Sequence, residues 1–118
     1  MRSLFCFMVA LSVLSTHFIL SAQEKMYLIE LKNNTFSPQV LYIPANKKIK
    51  IRIINLDDEP EEFDSFDLNR EKVLFPNKTA TIYVGPLAPG EYHYFGEFHP
   101  NIAKGIIVAT TGEQKDVN

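Results

Sequence analysis

Four residues carry the chemistry this sequence can offer. His99 and Glu97 stand two apart in Tyr92-His93-Tyr94-Phe95-Gly96-Glu97-Phe98-His99-Pro100, and Glu62 and Asp64 stand two apart in Glu62-Phe63-Asp64-Ser65. Three carboxylates and one imidazole form a donor set suited to Fe(II), Fe(III), Cu(II), Mn(II) or Zn(II), whereas soft Cu(I) prefers thiolate or thioether. Each residue also has a plainer use. His99 can cap a strand end through a backbone carbonyl, and Glu97 can simply face solvent. Glu62 and Asp64 follow the acidic run Asp57-Asp58-Glu59 and Glu61, a kind of run that is usually solvated. His93 suits a cross-strand structural role better than a ligand role, and Met26 has no partner at useful spacing.

Other chemistries find no support. No Ser-His-Asp arrangement, phosphate-binding glycine loop or CxxC motif is present. The formal net charge of −2 gives no reason to expect a nucleic-acid partner. Lys47, Lys48, Lys50 and Arg52 do not form a basic patch, because they fall in a strand that alternates with isoleucine.

The first 22 residues read as a secretory signal peptide. Arg2 supplies a positive start, the run from Leu4 to Leu20 is almost wholly apolar, and small Ser21 and Ala22 precede Glu24-Lys25. The competing reading, a retained anchor, draws on the near-spanning length of that run, but its small terminal residues favour cleavage. Residues 23–118 are then one exported domain, periplasmic and without membrane insertion. Cys6, the only cysteine, leaves with the leader. The mature domain therefore has no disulfide, no thiolate ligand and no thiol nucleophile, and its stability must come from its core.

The elements that position the four residues read as short strands. Lys48-Ile49-Lys50-Ile51-Arg52-Ile53 has a period of two, with isoleucine inward and cations outward. Met26 to Leu31 is expected to be apolar on much of both faces. Val40 to Ile43 is bounded by Pro38 and Pro44 and belongs at an edge. Thr79 to Val84, Tyr92 to Phe98 and Gly105 to Ala109 follow, separated by turn residues. Phe63 to Val73 is ambiguous, with a short helix expected around Leu68 to Lys72. The tail after Thr110 is expected to be loose. The class is all-β, a single-domain sandwich of about seven strands.

Tyr92 to Pro100, preceded by Leu87-Ala88-Pro89-Gly90 and followed by Gly105-Ile106-Ile107-Val108, resembles the C-terminal metal loop of cupredoxins. Phe36-Ser37-Pro38 with Ile43-Pro44-Ala45-Asn46 resembles their phenylalanine-x-proline segment, and Ile53-Ile54-Asn55 followed by Pro60 resembles the strand and loop that deliver the first copper ligand. The resemblance implies a cupredoxin-like Greek-key sandwich. It also places Gly96 at the thiolate position, Ala103 or Lys104 near the axial methionine position and His99 at the imidazole position. A blue-copper site needs that thiolate, and this chain cannot make one.

Glu62-Phe63-Asp64-Ser65, Leu68-Asn69-Arg70-Glu71-Lys72-Val73-Leu74 and Glu97-Phe98-His99-Pro100 are similar to the periplasmic cupredoxin-like component of bacterial ferrous-iron uptake systems that use an oxidase-dependent permease. The resemblance implies a copper or iron ion as cofactor or cargo, His99, Glu62, Glu97 and Asp64 as its ligands, and an iron permease or another periplasmic uptake component as partner. Arg70, Glu71 and Lys72 would either order their segment through ion pairs or form a docking surface. Carboxylates stabilise Fe(III) over Fe(II), yet a site with one histidine has no evident route to four-electron reduction of oxygen. Metal binding therefore ranks above a ferroxidase-like activity. A metal-free sandwich that docks a membrane or periplasmic partner is the alternative, because fold alone does not fix function.

Overall fold

The structure, a computed structural model, describes residues 24–112 together with His17 and Ile19. The expected leader over residues 1–22 and the end of the expected loose tail lie outside the described residues, apart from those two positions.

Among the described residues nine strands form two sheets. They are β1 (Tyr27–Lys32), β2 (Thr35–Ser37), β3 (Val40–Pro44), β4 (Ile49–Asn55), β5 (Glu61–Ser65), β6 (Arg70–Leu74), β7 (Thr79–Val84), β8 (Gly90–Gly96) and β9 (Lys104–Thr110). One sheet has the order β2-β1-β4-β7 and the other β3-β9-β8-β5-β6. Two pairings, β1 with β4 and β3 with β9, are parallel, and the rest are antiparallel. The chain is a Greek-key sandwich in which Pro38 and Gln39 carry it from β2 in one sheet to β3 in the other.

The alternation in β4 is as expected, with Ile49, Ile51 and Ile53 buried. The strand between the two prolines, β3, is an edge strand. Three expectations change. β1 is not apolar on both faces: Tyr27, Ile29 and Leu31 are buried while Glu30 and Lys32 are exposed. β2 adds a strand only three residues long, too short for a periodic signal. The helix expected around Leu68 to Lys72 is instead a hairpin turn leading into β6. Asn69 takes φ 51°, a left-handed conformation that asparagine tolerates, and the Ser65 hydroxyl accepts a bond from Leu68 N–H at 3.1 Å. Both features end a helix before it can start.

The core lies between the sheets around three rings. Phe63 stacks on Tyr94 with centroids 4.8 Å apart, and Phe36 meets Tyr94 edge-on at 5.1 Å. Phe36 and Phe63 are fully buried and Tyr94 nearly so. Among the described residues the Tyr94 hydroxyl has no hydrogen-bond partner. Its strand partner across β9 is Gly105, where a β-carbon would collide with the Tyr94 ring and hydroxyl. Glycine is therefore required for the ring to lie flat over the strand.

The loop between β4 and β5 is held by one buried side chain. Asn55 Nδ2 donates to the carbonyls of Glu59 at 2.8 Å and Leu74 at 3.0 Å, and its Oδ1 accepts from Asp57 N–H at 2.9 Å. Asp57 in turn accepts from the N–H groups of Asn33 and Asn34 at 2.7 and 3.0 Å, tying the β1–β2 turn to the same loop. The acidic run is thus a folded connection that sets where β5 begins.

Candidate metal site at one end of the sandwich

β5 starts at Glu61, and its alternation fixes which side chains go inward. Phe63 is a core residue, so Glu61 and Ser65 share its face, while Glu62 and Asp64 take the other. Glu61 is 1% exposed. Its Oε1 accepts from the N–H groups of Glu62 and Phe98, both at 2.8 Å, and its Oε2 lies 2.9 Å from His99 Nδ1. A carboxylate buried this far requires such partners, since an unpaired buried charge is very costly.

The strand β8 ends at Gly96, two residues short of the expected strand Tyr92 to Phe98, so Glu97 and His99 lie outside its alternation. Residues 97–103 form a loop closed on itself: Gly96 N–H donates to the Ala103 carbonyl at 2.8 Å, and the His99 carbonyl accepts from Ile102 at 3.1 Å and Ala103 at 2.8 Å. His99 N–H donates to the Gly96 carbonyl at 3.2 Å. The loop turns the imidazole toward Glu61.

Glu62 and Glu97 are brought together on the other face. Glu97 N–H donates to the Glu62 carbonyl at 2.9 Å, which brings their carboxyl groups near one another. Desolvation first, then the charge and hydrogen bond of Glu97, then the charges of Glu71 and Asp64, push the Glu62 carboxyl above its ordinary value. Asp64 follows Glu62 on the same strand face, with Glu71 and Phe95 as its cross-strand neighbours. No lysine or arginine makes a salt bridge to any of these carboxylates among the described residues.

The four residues read as a ligand set are therefore divided. Glu62, Asp64 and Glu97 form one acidic group, and His99 joins Glu61 instead. Among the described residues no three His, Cys, Asp or Glu side chains are gathered closely enough to hold an ion in place. His93 is tied through its backbone, accepting from the Ser65 hydroxyl at 2.7 Å and donating to Asp67 at 2.7 Å, with its ring exposed near Glu91. Met26 is exposed beside Arg52. Arg70 bonds the carbonyls of Tyr83 and Asn69, so it orders its segment through backbone acceptors.

Glu61 is the residue that sequence reasoning missed. The acidic stretch around it reads as solvated, but Phe63 in the core and a period of two place it inward.

A two-sheet sandwich whose β4–β5 and β8–β9 connections meet at one end is the frame of a cupredoxin. A family model described as a cupredoxin-like domain matches residues 3–109, and the chain belongs to that family. A protein of Rickettsia prowazekii (strain Madrid E), described as uncharacterized, is 42% identical over 80 residues, 68% of this chain and 64% of that protein. The chain thus spans about 64% of the length of the curated relative it matches. Among solved structures, a purple cupredoxin from Nitrosopumilus maritimus aligns with a TM-score of 0.58 at 21% identity, over 71% of this chain and 99% of that one. Auracyanin A, a "blue" copper protein from Chloroflexus aurantiacus, aligns with a TM-score of 0.62 at 14% identity, over 73% of this chain and 98% of that one. At these identities the likeness is one of fold.

A thiolate-held copper does not fit this chain. A β-carbon at Gly96 would lie 2.6 Å from the Glu61 carboxyl carbon, 2.7 Å from its Oε2 and 2.8 Å from the Ala103 β-carbon. The space a thiolate would need is filled by the Glu61 carboxylate, which also holds His99 Nδ1.

Proposed function

We propose that the protein is an exported metal-binding accessory of ferrous-iron uptake, which takes up Fe(II) or a copper ion on its carboxylates and passes the iron, or an electron, to a membrane permease. The observation that carries this reading is the placing of Glu97 against Glu62, its N–H on the Glu62 carbonyl at 2.9 Å, in an acidic group with Asp64 and Glu71 that has no lysine or arginine salt bridge among the described residues. Two carboxyl groups so placed compete for one proton, and a hard divalent or ferric ion relieves their repulsion better than the proton does. The similarity of the surrounding segments to the periplasmic uptake component supplies the pathway, and the apolar leader supplies the export.

Calorimetric titration of the purified protein with Fe(II) under anaerobic conditions, and with Cu(II), Mn(II) and Zn(II), tests the reading. Saturable one-site binding that weakens by roughly tenfold or more in Glu62→Gln and in Glu97→Gln supports it, the scale being that of about 1.4 kcal/mol per decade. No saturable binding of any of these ions sinks it. A second reading, a metal-free docking domain, draws on Phe98 and Ile102, which are 52% and 58% exposed on the same loop.

A further inference from the structure

The outer faces of the two sheets are built differently. A sheet face that meets water is ordinarily polar, and the four-stranded sheet largely follows this rule, with Glu30, Lys32, Lys50, Arg52, Thr79 and Thr81 outward. In the five-stranded sheet Ile43, Tyr94 and Ile107 are buried, so the alternation sends Val40, Tyr42, Ile106 and Val108 outward. They are neighbours across β3 and β9, Val40 with Ile106 and Tyr42 with Val108, and Val40 and Tyr42 are 40% and 44% exposed. Phe95 continues this surface on β8. Phe66, 81% exposed in the β5–β6 turn, has its ring centroid 5.6 Å from that of Phe95. Val40, Phe95, Pro100 and Ile106 border an open, mainly apolar groove of about 510 Å³. A continuous exposed apolar surface of this kind marks a place of contact.

The charge beside the groove decides what can cover it. On the next strand, β5, Asp64 is paired with Phe95 on one side and Glu71 on the other, and Glu62 follows on the same face with Glu97 beside it. Among the described residues none of these carboxylates has a lysine or arginine salt bridge. Lys104, opposite Phe95 on β9, offsets part of this charge. A bilayer with anionic headgroups is repelled from such a flank. Two copies of the chain laid face to face leave both flanks without a cation, and Lys50 and Arg52 sit on the outer face of the other sheet, among polar residues that do not cover apolar ones. The complementary surface is apolar in the middle and basic on one side, a pairing that fixes orientation and speeds encounter.

We propose that this face docks a basic amphipathic segment of a partner protein, its aliphatic or aromatic side chains seated between Phe95 and Ile106 and its lysine or arginine side chains along the acidic flank at Glu71. The segment lies on the sheet and does not enter the domain, because the groove is open and is floored by β8 and β9 at Tyr94 and Gly105. The groove selects for apolar side chains and the flank for their charged neighbours, which is how amphipathic segments are recognised generally. The contact does not depend on the metal-binding reading, since Phe95, Ile106 and Glu71 are outside the ligand set read from the sequence.

The test is amide-resolved NMR of the purified protein with a chelator present, titrated with three peptides of equal length: one of lysine and leucine, one of glutamate and leucine, and one of lysine and serine. The lysine–leucine peptide should shift the amides of Val40, Phe95, Ile106 and Glu71 saturably and bind roughly tenfold or more tighter than either control. Added salt should weaken it severalfold. Ile106→Ser, which withdraws one aliphatic side chain from the contact, and Glu71→Lys, which reverses one charge of the flank, should each weaken it roughly tenfold. If Ile106→Ser does not fold, Val40→Ser at the exposed edge strand takes its place. Shifts confined to another face, equal binding of the controls, no saturable shift, or affinity unchanged in these variants overturns the proposal. Concentration-dependent shifts of the same amides without peptide overturn it in favour of a second copy of the chain. A protein that ignores the peptides yet binds an ion by calorimetry, once the chelator is removed, separates this failure from that of the metal-binding reading.

Discussion

Gly96 and Glu61 occupy each other's space. The position where a β-carbon of residue 96 belongs lies 2.7 Å from Glu61 Oε2, so a glycine in β8 and a buried glutamate in β5 are required together. Neither is explained alone: the glycine leaves a gap in the inner face of the sheet, and the glutamate fills it with a charge that the Phe98 amide and the His99 ring then satisfy. The end of the sandwich is closed by this pair.

The first prediction follows directly. Gly96→Ala forces the Glu61 carboxylate or Ala103 to shift, an overpacking that costs about 1–3 kcal/mol. In Glu61→Ala the nearer obstacle is gone and only the Ala103 β-carbon remains, so the same Gly96→Ala change costs less, and the two substitutions are coupled by roughly 0.5–3 kcal/mol. Urea unfolding of the wild type, both single variants and the double variant measures the cycle. Additive costs would mean that the two positions do not share the space.

How much of this end was legible depends on what each residue's neighbours reveal. The β4 strand announces itself because isoleucine and cation alternate over six residues, and β3 because a proline bounds each end. Glu61 did not, because its run contains five acidic residues from Asp57 to Glu62 and only one of them turns inward. Composition averages over that difference, while the pleat does not. The hairpin at 65–70 was hidden for a related reason. A left-handed Asn69 and a Ser65 side-chain bond decide it, and both are local backbone events without periodicity. The separation of His99 from Glu62 and Glu97 was hidden by the end of β8 at Gly96, two residues earlier than the pattern Tyr92 to Phe98 indicated.

The acidic group gives a second prediction, in which the sign is set by the direction of one shift. The Glu62 carboxyl is raised in the folded protein by desolvation, by Glu97 and by its further neighbours Glu71 and Asp64. A carboxyl raised on folding binds its proton more tightly in the native state. Its contribution is therefore fully present below its unfolded value and is lost as pH rises through the folded value. Thermal melts of wild type and Glu62→Gln should nearly coincide at acid pH and separate above it, with the glutamine variant the more stable at neutral pH. Added salt should narrow the gap by screening these partly exposed charges. A variant less stable than wild type at neutral pH would show that Glu62 is held by a favourable contact instead.

Tyr94 provides the third prediction, in the core. Its ring packs against Phe36 and Phe63, its hydroxyl lies by Gly105, and among the described residues that hydroxyl has no partner. An unsatisfied buried hydroxyl costs about 1–3 kcal/mol, and Tyr94→Phe removes it while keeping the ring that fills the core. The variant should be more stable by about 1 kcal/mol, which for a domain of this size raises the melting temperature by roughly 4–8 °C. The difference should widen in alkali. Burial pushes the Tyr94 phenol above its ordinary value, so its contribution is fully present below the unfolded value of about 10 and is lost as pH rises through the folded one, because the unfolded chain releases the proton first. Wild type should therefore lose stability relative to Tyr94→Phe as pH passes 10, an interval in which the other tyrosines and lysines are common to both proteins and cancel. Calorimetric melts of the pair across that interval measure it. A Tyr94→Phe protein that melts below wild type at neutral pH would mean that the hydroxyl has a bonding partner, such as a buried water, and that the core needs it.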